Sequence, residues 1–178
     1  GEVRVWSVED GSQVRRVVPP GGAQWIDDVA FSPDGSLLAA CRSGSVWLWN
    51  TTGWGPIHAL YAESDIYRGR IAFAPDGSAV VLAQDDRMYV WHLPEGELVR
   101  ILDLGATGEA ELAYSPDGSL LAVNVGSEVQ LRRVSDSRLL QTLTGARSPL
   151  TDVVFLPDGR RIVTASWDGT VRLWGLNE

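Results

Sequence analysis

Apolar residues in this chain come in short bursts. "SVWLW", "RMYVW" and "TVRLW" alternate in size and polarity with a period of two, as strands do when successive side chains point to opposite faces. Val and Trp suit a pleated sheet. Other bursts ("LLAA", "AVVLA", "LLAV", "RIVTA") are almost wholly apolar. Between them stands "PDG", a turn signal: Pro presets the first turn position, Asp accepts local backbone bonds, and Gly takes a positive φ. Further breaks fall at "EDGS", "TTGWGP", "PEGE" and "SDS". No long stretch carries helical periodicity, so the pattern predicts an all-β fold.

The bursts repeat. "FSPDGSLLAA", "FAPDGSAVVL", "YSPDGSLLAV" and "FLPDGRRIVT" align, with Asp34, Asp76, Asp117 and Asp158 spaced 42, 41 and 41 residues apart. Gly35, Gly77, Gly118 and Gly159 follow them. A second landmark ends at Trp49, Trp91, Arg132 and Trp174, which is 15, 15, 15 and 16 residues beyond each aspartate. An earlier copy, "EVRVW", ends at Trp6. Each repeat holds four short strands. Four-stranded units at a period of about 40 to 45 residues are the sequence signature of a β-propeller.

The text now resembles the WD-repeat β-propellers. "SWDGTVRLW" and "FSPDG" carry the likeness, and four registered copies extend it over nearly the whole chain. There are departures. The Gly-His that the family places before the first strand is absent from every copy, and Trp-Asp does not end any third strand. The buried tetrad of Trp, Ser or Thr, His and Asp that the resemblance implies is therefore incomplete. Ser166, Asp168 and Trp174 are its expected remnant in the last repeat. Arg132 stands where Trp is expected, which predicts a softer blade or an Arg stem lying along its surface.

The phase sets the expected organisation: a partial blade at 1–20, repeats at 21–62, 63–104 and 105–144, and a last repeat at 145–178. Gly1 aligns with Gly169, so third and fourth strands open the chain and first to third strands close it. Residues 11–18 are candidates for the fourth strand that the last repeat lacks. An open arc would expose apolar blade faces. Three arrangements cover them: the chain is part of a longer polypeptide, two copies pair as half-rings, or four blades close tightly. The family's habit of seven or eight blades favours a chain that is part of a larger ring.

Composition narrows the function. The net charge of −8 repels phosphate backbones, so nucleic acid is not an expected partner. No run is long and apolar enough to predict a membrane span. All 15 basic residues are Arg, which fits a bacterial coding bias. The single Cys41 excludes an internal disulfide and a cysteine-based metal site, and a reducing, cytoplasmic setting follows. No nucleophile elbow, zinc helix, phosphate loop or dinucleotide fingerprint is present, so no catalytic residue, cofactor or metal is expected.

In such a fold, function lies in loops. The resemblance implies a binding face made by the connections into first strands and between second and third strands. By register these give Trp25, Asp27, Tyr67, Arg68, Glu109 and Pro149, together with Arg42, Gln84, Asp85, Asn124 and Trp167. Aromatics and Arg are the residues most often energetic at interfaces. The expected function is a non-catalytic scaffold or sensor module of a larger bacterial signalling or assembly protein. Its partner would be a protein or peptide, or the remainder of the same ring, and an acidic rim favours a basic one. The alternative is an enzyme or small-ligand binder using the central channel, where Asp28, Glu111 and Asp152 are the candidates and Arg70 interrupts them.

Overall fold

The computed structural model describes residues 1–21, 25–62, 68–105 and 110–176. None of them is helical, and no helix is long and apolar enough to cross a membrane. A half-blade pairs β1 (Val3–Trp6) with β2 (Gln13–Val17). The first full blade runs β3 (Asp28–Phe31), β4 (Leu37–Arg42), β5 (Ser45–Asn50), β6 (Pro56–Tyr61). The second runs β7 (Arg70–Phe73), β8 (Ala79–Gln84), β9 (Arg87–His92), β10 (Glu97–Asp103). The third runs β11 (Leu112–Tyr114), β12 (Leu120–Val125), β13 (Glu128–Arg133), β14 (Leu139–Leu143). The last holds β15 (Leu150–Phe155), β16 (Arg161–Ser166) and β17 (Val171–Gly175). Every sheet is an antiparallel meander in chain order. The fold is thus all-β, built of propeller blades, as the repeat predicts. Residues 13–17 pair with β1 rather than with β17, because a short turn already joins them to their neighbour.

The turn between first and second strands is fixed by its own side chains. Asp34 Oδ1 accepts the Ser36 amide at 3.0 Å and the hydroxyls of Ser32 at 2.6 Å and Ser36 at 2.9 Å. Gly35 takes φ 71°, which side chains with a Cβ resist. Asp117 repeats the set with Ser115 and Ser119. At Asp76 an Ala fills the first Ser position, and only the Ser78 bonds remain. Each of these aspartates sits below the ordinary carboxyl range; Asp34 lies at about 2, held first by the Ser32 hydroxyl.

The second strands of the first three blades are apolar over most of their length because both their faces are covered. Leu38 and Ala40 pack toward the half-blade on Val3 and Val17, whereas Ala39 and Cys41 pack toward the second blade on Ile71 and Leu82. In β8, Val80 and Leu82 face back and Val81 and Ala83 face forward. In β12, Leu121 and Val123 face back and Ala122 faces the last blade. Inner strands adjoin in the series β3, β7, β11, β15. Among the described residues β15 and β3 do not adjoin as neighbouring inner strands do, so the blades form an open stack rather than a tight four-blade ring. Phe31 and Val29 are exposed at one end, and Val154, Val171 and Leu173 at the other.

The outer strand carries a repeated bulge. Val14, Ile57, Val99 and Leu140 each occupy the extra position opposite the third strand, in step with the repeat. A bulge twists an edge strand and hinders edge-to-edge pairing, which protects the rim.

Space is tight at Gly69, where the chain enters the second blade against its own second strand. A Cβ there would lie 2.6 Å from Leu82 Cδ1 and 3.5 Å from Cys41 Sγ. Gly69→Ala is expected to cost about 1–3 kcal/mol through overpacking, read as a lower urea midpoint. The turn aspartates predict a second behaviour. A folded value of about 2 against an ordinary 3.8 means that the bonds of Asp34 stabilise fully above pH 4 and are lost as pH falls toward 2. Denaturation between pH 5 and 2 is expected to show that loss, with a shallower slope in Asp34→Asn.

Candidate binding face

The start of each first strand is tied to the turn between second and third strands, so two loop sets form one edge. Asp27 donates its amide to the Cys41 carbonyl at 2.9 Å, and its carboxylate accepts the Ser43 amide at 3.2 Å. In the last blade, Trp167 donates its amide to the Pro149 carbonyl at 3.0 Å, and the Ser166 hydroxyl donates to the Ser148 carbonyl at 3.0 Å. Asp168 accepts the Arg147 amide at 3.0 Å, Arg172 Nη2 at 2.8 Å and the Thr170 hydroxyl at 2.5 Å. Its carboxyl is driven well below the usual range, chiefly by Arg172. Trp174 Nε1 donates to Thr164 Oγ1 at 3.0 Å, not to Ser166. The cause is register: Trp174 pairs across from Ile162, which brings Thr164 under the indole and leaves Ser166 at the loop.

Two of the three loop aromatics singled out by the sequence stand clear of the scaffold. Trp25 is 85% exposed and Trp167 is 78% exposed, both on this edge. Asp85 occupies a positive-φ turn position at φ 54°, and Arg68 is exposed at φ 77°. Arg42 places its guanidinium 5.1 Å from the Trp47 ring centroid and donates to the Pro20 carbonyl. Tyr67 and Glu109 lie outside the described residues.

Gln84 and Asn124 do not belong to an exposed face. Each is 1% exposed, because β8 and β12 continue through these positions between neighbouring blades. Asn124 is an inter-blade staple: its carbonyl oxygen accepts the Glu111 amide, and its amide donates to the Leu150 carbonyl at 3.1 Å. Among the described residues, neither amide atom of Gln84 has a hydrogen-bond partner. Arg132 is also placed otherwise than expected. It is buried, not spread on the blade surface, because neutral acceptors surround its head.

Three of the channel positions, Asp28, Arg70 and Glu111, are engaged in holding blades together. Asp28 accepts the Ile71 amide at 2.9 Å, and Arg70 Nε meets Glu111 at 2.5 Å. Burial pushes the Glu111 carboxyl up against the pull of Arg70. Asp152 accepts the amide of Val153. Sequence spacing placed all four on the inner rim but gave no sign of these cross-blade bonds. Among the described residues, no three His, Cys, Asp or Glu side chains gather as a metal site would require. The Cys41 thiol is buried, donates to the Gly69 carbonyl and is pushed far above its ordinary value by burial. A thiol in that state is no nucleophile.

An unpartnered buried amide is a liability, so Gln84→Met is expected to raise the unfolding midpoint by about 1–2 kcal/mol equivalent. Thermal and urea unfolding of the variant check this.

The WD40 family model, described as "WD domain, G-beta repeat", matches residues 13–50 and 137–175. No curated protein matches the chain. Both matched segments run from a fourth strand to the end of the next third strand, β2 to β5 and β14 to β17. Repeats of this kind generally act as scaffolds for protein–protein interaction. Two matched repeats, the four-fold register and the stacked four-stranded blades identify WD-repeat blades in this chain.

Proposed function

We propose that the chain is a non-catalytic interaction module that presents the edge bearing Trp25 and Trp167 to a protein or peptide. The observation that carries this reading is the exposure of those two indoles on loops tied to a rigid frame. Large exposed aromatics gain most when a partner covers them, and a rigid loop loses little entropy in the process. The net charge of −8 favours a basic, arginine-bearing partner. The engagement of Asp28, Arg70 and Glu111 between blades argues against catalysis in the channel.

The wider setting is part of the same proposal. An all-arginine basic set supports a bacterial source, and a lone buried thiol supports a cytoplasmic one. The exposed apolar rows at both ends of the stack support completion of a larger ring, by further blades or by a second copy. The module would then serve a larger signalling or assembly protein.

Affinity capture from native extract tests the face. Trp25→Ala combined with Trp167→Ala is expected to abolish specific capture while the unfolding midpoint holds. Val14→Ser combined with Leu140→Ser, on the outer rim, is expected to leave capture intact. Equal capture by the wild type and the tryptophan pair would overturn the assignment.

A further inference from the structure

Between the second and third blades lies a cavity of about 270 Å³. It opens on the edge of the Asp76 and Asp117 turns, opposite the edge bearing Trp25 and Trp167. Its origin can be read from the repeat. Trp49, Trp91 and Trp174 pack toward the blade before them, and Trp91 is buried there. The third blade has Arg132 at this position, so no indole fills the gap toward the second blade. Val81, Met88, Val90, Tyr114 and Leu121 supply apolar wall.

Arg132 lines the same cavity and is 9% exposed. Its guanidinium donates to Gln130 Oε1 at 2.6 Å, to the Ser137 carbonyl at 3.1 Å and to the Asp103 carbonyl at 3.4 Å. All three acceptors are neutral, and among the described residues no carboxylate forms an ion pair with it. Arg100, also at the cavity, donates to the Ser137 hydroxyl at 2.8 Å and the Ser135 carbonyl at 3.2 Å. Ser137, held at φ 58°, thus gathers two guanidinium groups through its two oxygens. The nearby carboxylates keep their charge, with Asp103 acting on Arg132 across space and Asp76 and Asp117 lining the cavity, but their hydrogen bonds go to other groups: Asp76 to Ser78, Asp117 to Ser115 and Ser119, Asp103 to the Gly105 amide, and Asp136 to Arg133. A buried guanidinium that no carboxylate bonds directly keeps part of its desolvation cost, and a charge-assisted bond to an anion relieves that cost.

We propose that this cavity binds a small monocarboxylate with an apolar body, its carboxylate on Arg132 and Arg100 and its hydrocarbon against Met88 and Leu121. The apolar wall excludes a fully hydrated anion such as phosphate. The site lies between two complete blades, so it does not depend on what covers the ends of the stack or on the partner-binding face.

Met88 is the sole methionine of the chain, so methyl-labelled methionine gives one resonance reporting from the cavity wall. Indole-3-propionate, which carries the missing indole and a carboxylate, is the first probe; octanoate is the second. Saturable movement of the Met88 methyl signal is expected with either acid. Their neutral amides are expected to bind at least tenfold more weakly. Arg132→Met is expected to lose the response. Arg100→Met, at a half-exposed position, gives the same readout if the first variant does not fold. No movement with either acid up to about 5 mM, where even weak binding saturates, overturns the proposal. So does an equal response to the amides, to acetate or to inorganic phosphate.

Discussion

A twisted four-stranded sheet with two apolar faces has no stable existence in water until both are covered. In this chain each blade covers its neighbours, and side chains alternate between them along the second strand. That interface is the dominant source of burial. It explains why "LLAA" and "AVVLA" look like core runs and not like half-exposed strands. It also pins the Leu82 side chain, packed back on the first blade, so that a Cβ at Gly69 would meet it. The outer strands are free of this demand and carry bulges and exposed residues instead.

Polar groups give the stack its alignment. Apolar packing is non-directional, whereas the bonds of Asp28 to Ile71, Arg70 to Glu111 and Asn124 to Leu150 fix one blade against the next. These groups are thereby removed from any other chemistry. What the scaffold leaves free are loops, and their exposed tryptophans carry the proposed recognition. The rigid frame beneath them is itself part of that function, since a preordered loop binds at lower entropic cost.

The third blade shows how a single departure from the repeat alters a molecule locally. Replacing an indole by a guanidinium leaves volume unfilled and introduces a charge that no carboxylate of the neighbouring blade bonds directly. The surrounding sheet keeps its register, with the same bulge beside Arg132 as beside Trp49. Backbone pairing therefore tolerates the change, and only the cavity records it.

The strands, the turns and the WD-repeat character of the blades were legible in the sequence because each depends on local chemistry repeated four times. An Asp–Gly pair with flanking Ser makes its turn wherever it stands, and a period of about 41 residues averages out the irregular copies. The positions of Trp25 and Trp167 in loops were legible for the same reason. Register alone did not separate Gln84 and Asn124 from the loops beside them, since one residue along a strand decides between solvent and the neighbouring blade. Nor did it show that Trp174 reaches Thr164, that Arg70 spans to Glu111, or that Arg132 turns inward among neutral acceptors. Those contacts join residues brought together only when sheets stack. The repeat determined what each blade is, and the packing of one blade on the next decided which of its polar side chains remain available.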